Sequence, residues 1–427
     1  MLVLRPFRGI MYNKNEVGDL SKVVAPPYDV IFPQAQDFYY RAHPCNIIRI
    51  ILGKEEVGDG AEENKYTRAA NFFRQWLGRG ILKKEKAPSM YTYYQRYLIN
   101  GDEVEREGFV ALMRLEDFSS GKIFPHENVF SEPQEDRFNL LRACRANFSP
   151  IFALFSDPAR EIDALYKRAK TLLEFEDENK IRHRLSSISD SDLINRICSC
   201  MQNKKIFIAD GHHRYLTALR FKEEMRKKCD APGGVDYVMM YFLNTNSPGV
   251  TILSVHRLIG KLTLEQAREL IEGIEKFFYK RGFKKLEGED EEDTAKRLLL
   301  EIKKIGSPAL GVYTRQEGFS LLILKDNCIF SVKVRAAIVA ILDDLVKNLL
   351  DKKNLIKGEE IDFTTSPSHA IKQVLKGHFQ VAFFLAPTTV EKIQEVALTG
   401  GKMPPKSSYF YPKLLSGLVM RDLEDAV

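Results

Sequence analysis

The run Ile206-Phe-Ile-Ala-Asp-Gly-His-His-Arg-Tyr215 gathers a carboxylate, two imidazoles and a guanidinium within five residues. Ile206, Phe207 and Ile208 read as a short buried strand entering a turn at Asp210-Gly211. From Arg214 onward, Tyr215, Ala218, Leu219 and Met225 recur at helical spacing. The charged groups therefore sit where a strand gives way to a helix N-terminus, whose unpaired N–H groups and positive dipole end attract an anion. Gly211 has no Cβ and lets a ligand approach the backbone. Arg214 can fork onto phosphate or carboxylate oxygens. The pattern reads as a phosphate site in which Gly211, His212, His213 and Arg214 hold the anion. Asp210 then binds Mg²⁺ or accepts a substrate proton. A plainer alternative stays open, in which Asp210 caps the helix and the histidines pack.

Three further constellations carry chemistry. Pro125-His-Glu127 sets an imidazole beside a carboxylate in a loop, with Glu127 a candidate general base or metal ligand and an ordinary surface loop the alternative. Val24-Ala-Pro-Pro-Tyr-Asp29 uses two prolines to stiffen the presentation of Tyr28 and Asp29, or to mark a domain entry. Met403-Pro-Pro-Lys-Ser-Ser-Tyr-Phe-Tyr-Pro-Lys413 is stiff, aromatic and basic. Its aromatic residues predict docking against the body, with Lys406 and Ser407 reaching a phosphate. Arg257, after His256 at a strand end, is a possible second anion contact. His43, His183, His369 and His378 show no pattern that points to chemistry.

These groups need elements to hold them. Strands are expected over residues 1–4, 46–52, 91–97, 107–115, 148–155, 237–244, 252–258, 319–324, 329–334 and 381–385. Helices are expected over 66–82, 135–145, 337–350 and, rich in charge, across 158–201. Asn100-Gly101 signals a hairpin turn. The acidic run at 287–293 reads as a solvated helix start or a loop rather than a metal site. Strands and helices interleave throughout, so the fold class is α/β or α+β with mixed sheets.

The chain's 427 residues imply two or three domains, and 44% hydrophobic with 29% charged residues is a globular composition. No run is long enough to span a bilayer, and the first residues lack a signal-peptide pattern, so a cytoplasmic location is expected. The six cysteines are scattered; Cys198-Ser-Cys200 has no second pair at zinc spacing and reads as a helix face. A net charge of +6 with nearly matched acids and bases admits an anionic ligand. It does not provide the basic stripe that nucleic-acid binding demands.

Arg5-Pro-Phe-Arg-Gly9, Val24-Ala-Pro-Pro-Tyr-Asp29, His43-Pro-Cys-Asn-Ile-Ile-Arg49, Pro125-His-Glu127, Asp210-Gly-His-His-Arg-Tyr215 and Met403-Pro-Pro-Lys-Ser407 follow one another in this order. That series, spanning essentially the whole chain, resembles a widespread prokaryotic family described as a domain of unknown function. The strand, Gly-x-His-Arg variant and helix are similar to the nucleotide-phosphate motif of the ParB–sulfiredoxin superfamily, which includes a free serine kinase with an Asp-Gly-His motif. The resemblance implies a ParB–sulfiredoxin-like mixed-sheet core with insertions over residues 1–260. It also implies a C-terminal α/β region over 261–427 whose tail docks back on the site.

His212 stands where sulfiredoxin needs its cysteine, and the helix-turn-helix and arginine-rich motif of ParB proteins are missing from the sequence. The kinase branch then implies ATP or ADP, with Mg²⁺, phosphorylating a small hydroxylated metabolite such as free L-serine. Asp29 or Glu127 would act as base, with His126, Tyr28 and Arg257 toward the substrate. A ParB-type nucleotide-binding regulatory module and a metal-dependent phosphohydrolase built on His126, Glu127 and Asp210 are the rival expectations.

Overall fold

The computed structural model describes the chain apart from residues 100, 128–130, 228–232, 327–337, 353–354 and 426–427, and apart from the side chains of 131–133. The described residues form two compact units. One comprises Met1–Pro125, Val129–Val250 and Pro412–Val427; the other comprises His126–Asn128 and Thr251–Tyr411.

The first unit is built on a nine-stranded mixed sheet. Its order is Ile123–Phe124, Ile206–Asp210, Ile151–Phe155, Tyr237–Asn244, Asp102–Arg114, Met90–Ile99, Arg182–Ile188 and Lys170–Glu176, with Leu4–Arg5 also paired to Asp102–Arg114. Tyr237–Asn244 runs parallel to Ile151–Phe155, whereas Ile206–Asp210 runs antiparallel to it. The long hairpin keeps an unbroken register from Tyr91↔Val110 to Ile99↔Asp102. Its second strand starts earlier than the sequence pattern indicates, because the turn lies directly at Gly101 (φ 91°). Asn100 falls outside the described residues.

One face of this sheet rests on a core that includes Met90, Phe109, Met113, Ile208, Tyr215, Met240 and Phe242. A second core, around Ile48, Phe73, Trp76 and Phe148, anchors the helix Lys65–Gly78. That helix starts in a capping box between Asn64 and Thr67.

Two sequence expectations are corrected here. Residues 46–52 are not a strand: Ile48–Ile51 is a single helical turn. Buried Asn46 starts it by accepting the Ile48 N–H at 2.9 Å, a local bond that overrides the β-branched run. Residues 158–201 are not continuously helical. Lys170–Glu176 and Arg182–Ile188 form an edge hairpin between the helices Glu161–Leu165 and Ser191–Met201. There Arg184 faces Glu174 across the strands while His183 and Leu185 are buried, a period of two that charge density obscures.

The second unit carries a six-stranded antiparallel sheet. Its order is Phe278–Gly282, Gly318–Leu324, Ala309–Thr314, Val381–Phe384, His256–Ile259 and Ile361–Thr364. Helices Leu264–Glu275 and Ile338–Leu349 pack on one face through Leu270, Ile274 and Leu342, against Leu310 and Phe383. Helices Glu291–Lys304 and Pro367–Leu375 pack on the other through Leu298 and Ile371, against Leu258 and Phe384. The acidic run does start a helix, capped by Asp290. The strand expected at 329–334 lies outside the described residues; Gly318–Leu324 pairs with Phe278–Gly282 and Ala309–Thr314 instead. The molecule is a mixed α/β protein.

Candidate functional site

In the first unit, strand Ile206–Asp210 ends at Gly211, whose φ of 93° turns the chain directly into helix His212–Arg226. The helix begins two residues before the sequence pattern indicates, so both histidines belong to its first turn. His212 is buried and His213 half-buried. A Cβ on Gly211 would stand 2.8 Å from Arg214 Nη2, so the room the glycine leaves is filled by the guanidinium of its own helix.

Asp210 does not cap the helix. One carboxylate oxygen accepts from Arg214 Nη2 at 2.8 Å, and the other accepts from the ammonium of Lys413. Arg214 Nη1 donates to the Pro150 carbonyl at 2.6 Å, fixing the guanidinium from a second side. Two cations thus meet one carboxylate at the positive end of a fifteen-residue helix. Next in line, Tyr215 is buried with its hydroxyl on the Glu116 carbonyl, and its ring stacks on Phe118. Burial pushes its phenol well above the ordinary range, which leaves Tyr215 a support for the helix start.

The same arginine lines an open cleft. Tyr28, Arg137, Asn147, Ser149 and Thr217 are the other polar groups on its wall, among apolar ones such as Ile51, Phe148 and Val238. Tyr28 and Asp29 lie in the 3-10 turn Tyr28–Val30 that follows the two prolines. The Arg137 guanidinium stacks 3.9 Å from the centre of the Tyr28 ring. Arg137 also donates to the Ile51 carbonyl and to Asp136. Burial would raise the Asp136 carboxyl, but the Arg137 charge and bonds from Arg137, Tyr66 and Lys65 hold it below the usual value. The proline-stiffened loop and the Asp210 turn, 181 residues apart from Asp29 to Asp210 in the chain, therefore border one cleft.

In the second unit, Glu127 bridges to Met403 and accepts the Lys406 N–H, and His126 Nε2 lies 3.0 Å from Ser408 Oγ. Ser407 is buried and donates to the Pro404 carbonyl at 2.6 Å, which closes a turn. The structure so brings His126, Glu127, Lys406 and Ser407 together. Arg257 is elsewhere in that unit, in the sheet, bonded to Asp343 at 3.2 Å and to the Val255 carbonyl at 2.8 Å. It serves a buried ion pair there. Sequence reading missed Arg137 and Lys413. The first lies within residues 135–145, which read only as a helix; the second closes the stiff, basic tail. Among the described residues no three His, Cys, Asp or Glu gather to hold a metal ion, and no helix is long and apolar enough to cross a membrane.

A family model described as "Protein of unknown function (DUF1015)" matches residues 4–349, and the chain belongs to that family. No curated protein matches it. Among solved structures it is similar to a free serine kinase in complex with AMP, at 14% identity and a TM-score of 0.38, covering 74% of this chain and 93% of that one. A conserved hypothetical protein from Pyrococcus furiosus is similar at 15% identity and a TM-score of 0.37, over 74% and 97% of the two chains. SbnI with a C-terminal truncation, from Staphylococcus aureus, is similar at 10% identity and a TM-score of 0.34, over 74% and 84%.

Proposed function

We propose that this protein binds a nucleotide, ATP or ADP, at the Asp210-Gly211 turn and transfers its terminal phosphoryl group to a small hydroxylated acceptor, with free L-serine the first to test. The observation that carries the reading is the convergence of Arg214 and Lys413 on Asp210 at a helix N-terminus, beside a cleft that Arg214 also lines. Phosphoryl transfer asks for alignment and charge neutralisation more than for covalent chemistry.

In this reading Gly211, His212, His213 and Arg214 hold the phosphates, and the cleft receives the acceptor against Tyr28. Asp29, on the proline-stiffened turn, takes the proton of the acceptor hydroxyl as that oxygen bonds to the terminal phosphorus, whose bond to the bridging oxygen breaks and releases the shortened nucleotide. Lys406 and Ser407, with His126 and Glu127, form a second polar cluster for phosphate or substrate. Mg²⁺ would arrive with the nucleotide. Asp210 has both oxygens engaged by cations, so the side chains alone do not fit a Mg²⁺ cage.

Incubation with ATP or ADP and a panel of hydroxylated amino acids, read by phosphorus NMR, tests the proposal. A phosphorylated acceptor is expected, together with nucleotide affinity weakened about tenfold or more in Arg214→Ala, the scale of a lost charge-assisted contact. No product with any acceptor, and unchanged nucleotide affinity in Arg214→Ala, would overturn it.

A further inference from the structure

Three buried side chains of the large sheet grip one short stretch of backbone in the same unit. Tyr93, Gln95 and Arg106 are each no more than 1% exposed. Gln95 pairs with Arg106 across the hairpin, and Tyr93 precedes Gln95 by two residues on the same face of the strand. Arg106 Nη2 donates to the Pro412 carbonyl at 2.5 Å and also to the Gln95 side-chain oxygen. Gln95 Nε2 donates to the Lys413 carbonyl at 3.2 Å. The Tyr93 hydroxyl faces the Leu415 backbone N–H.

Behind Tyr93 the chain of contacts goes on. Its hydroxyl meets His183 Nδ1 at 2.8 Å, and His183 Nε2 meets Asp177 Oδ2 at 3.2 Å. Asp177 in turn accepts the Asn179 and Ile181 N–H groups. The His183 ring thus links the Tyr93 phenol to the Asp177 carboxylate through its two nitrogens. Phe175 stacks on the His183 ring at 5.2 Å. Burying an arginine, a glutamine, a histidine and an aspartate in a sheet face is costly unless each is fully bonded. Here the Arg106 and Gln95 bonds converge on the Pro412 and Lys413 carbonyls. The side chain in that stretch that reaches Asp210 is Lys413.

We propose that Lys413 is an anion-binding residue of the Asp210 turn and that Tyr93, Gln95 and Arg106, backed by His183 and Asp177, are positioning residues that hold its backbone. The inference rests on the phosphate reading of that turn and adds a residue and its support to it. Pro412 fixes the backbone just ahead of the lysine, and the two carbonyl bonds and the Leu415 contact remove the remaining freedom of the segment. The ammonium then meets an incoming phosphate at a set place, with its partner Asp210 held in turn by Arg214.

The test is a double-mutant cycle in the full-length protein, with inorganic pyrophosphate and ATP as probes in calorimetry. Gln95→Met is expected to weaken both about tenfold, and to add nothing further in a Lys413→Met background. In parallel, acetylation of Lys413 by a soluble acylating reagent, followed by peptide mass spectrometry, should speed up about tenfold in Gln95→Met and in Tyr93→Phe. Tyr93→Phe is the second variant because it keeps the ring and removes only the hydroxyl. Equal losses from Gln95→Met with and without Lys413, an unchanged acetylation rate in both variants, or no pyrophosphate binding by the parent protein would each overturn the proposal. Pyrophosphate binding without ATP binding would remove the nucleotide reading and leave this one standing.

Discussion

At Gly211 the backbone φ of 93° and the Arg214 guanidinium make two separate demands on one residue. An L side chain there is strained by the dihedral angle, at roughly 1–3 kcal/mol, and its Cβ would displace Arg214 from Asp210. Gly211→Ala is therefore expected to lose stability by about that amount in urea denaturation and also to weaken phosphate binding. A variant as stable as the parent would contradict the strain argument. The residue types at this turn were legible in the sequence because they are contiguous. Their engagement was not: nothing in Asp210-Gly-His-His-Arg214 announces that Asp210 is bonded by Lys413, 203 residues on.

At the scale of elements, the site depends on loops that buried polar groups pin in place. Asn46 is fully buried; its amide donates to the Lys22 carbonyl at 2.7 Å and the Val24 carbonyl at 3.1 Å, while its oxygen starts the Ile48–Ile51 turn. One side chain so ties the base of the proline loop that carries Tyr28 and Asp29. Asn46→Ala should cost about 1–3 kcal/mol, from buried carbonyls left without donors, and should loosen the Tyr28–Arg137 stack. Denaturation midpoints and hydrogen exchange at Tyr28 and Asp29 check both. The sequence shows Asn46 only as the head of an isoleucine run, which reads as a strand until the asparagine's own hydrogen bonds are seen. Strand Ile206–Asp210, by contrast, needed only its apolar pattern and the glycine after it.

At the scale of the whole molecule, each unit has its own core, and the second contains a group that sets an acid limit. His256 is fully buried, and its Nδ1 accepts the Leu385 N–H at 3.3 Å. Burial, and secondarily the neighbouring Arg257 charge, push its pKa from 6.5 down to about 3. The sign follows from linkage: below pH 6.5 the unfolded chain takes up a proton that the folded chain refuses. Stability from this group is complete above pH 6.5 and is lost as the pH falls toward 3. Urea midpoints measured down that range should decline in the parent protein and decline less in His256→Gln. Parallel pH profiles for the two would count against a titrating His256.

Local sequence determined what depends on neighbours along the chain: the alternation of the long hairpin, the strand–glycine–helix passage at residue 211 and the mixed α/β class. Tertiary structure decided what depends on partners far apart. It placed the Tyr28 loop and Arg214 on one cleft, paired Arg257 with Asp343, and brought Lys413 to Asp210. The physical reason is that propensity and periodicity act over a few residues. A charged side chain finds its counter-charge wherever the backbone's fold delivers one, and Lys413, in a stretch whose carbonyls accept from the sheet's buried Arg106 and Gln95, meets Asp210 from 203 residues away.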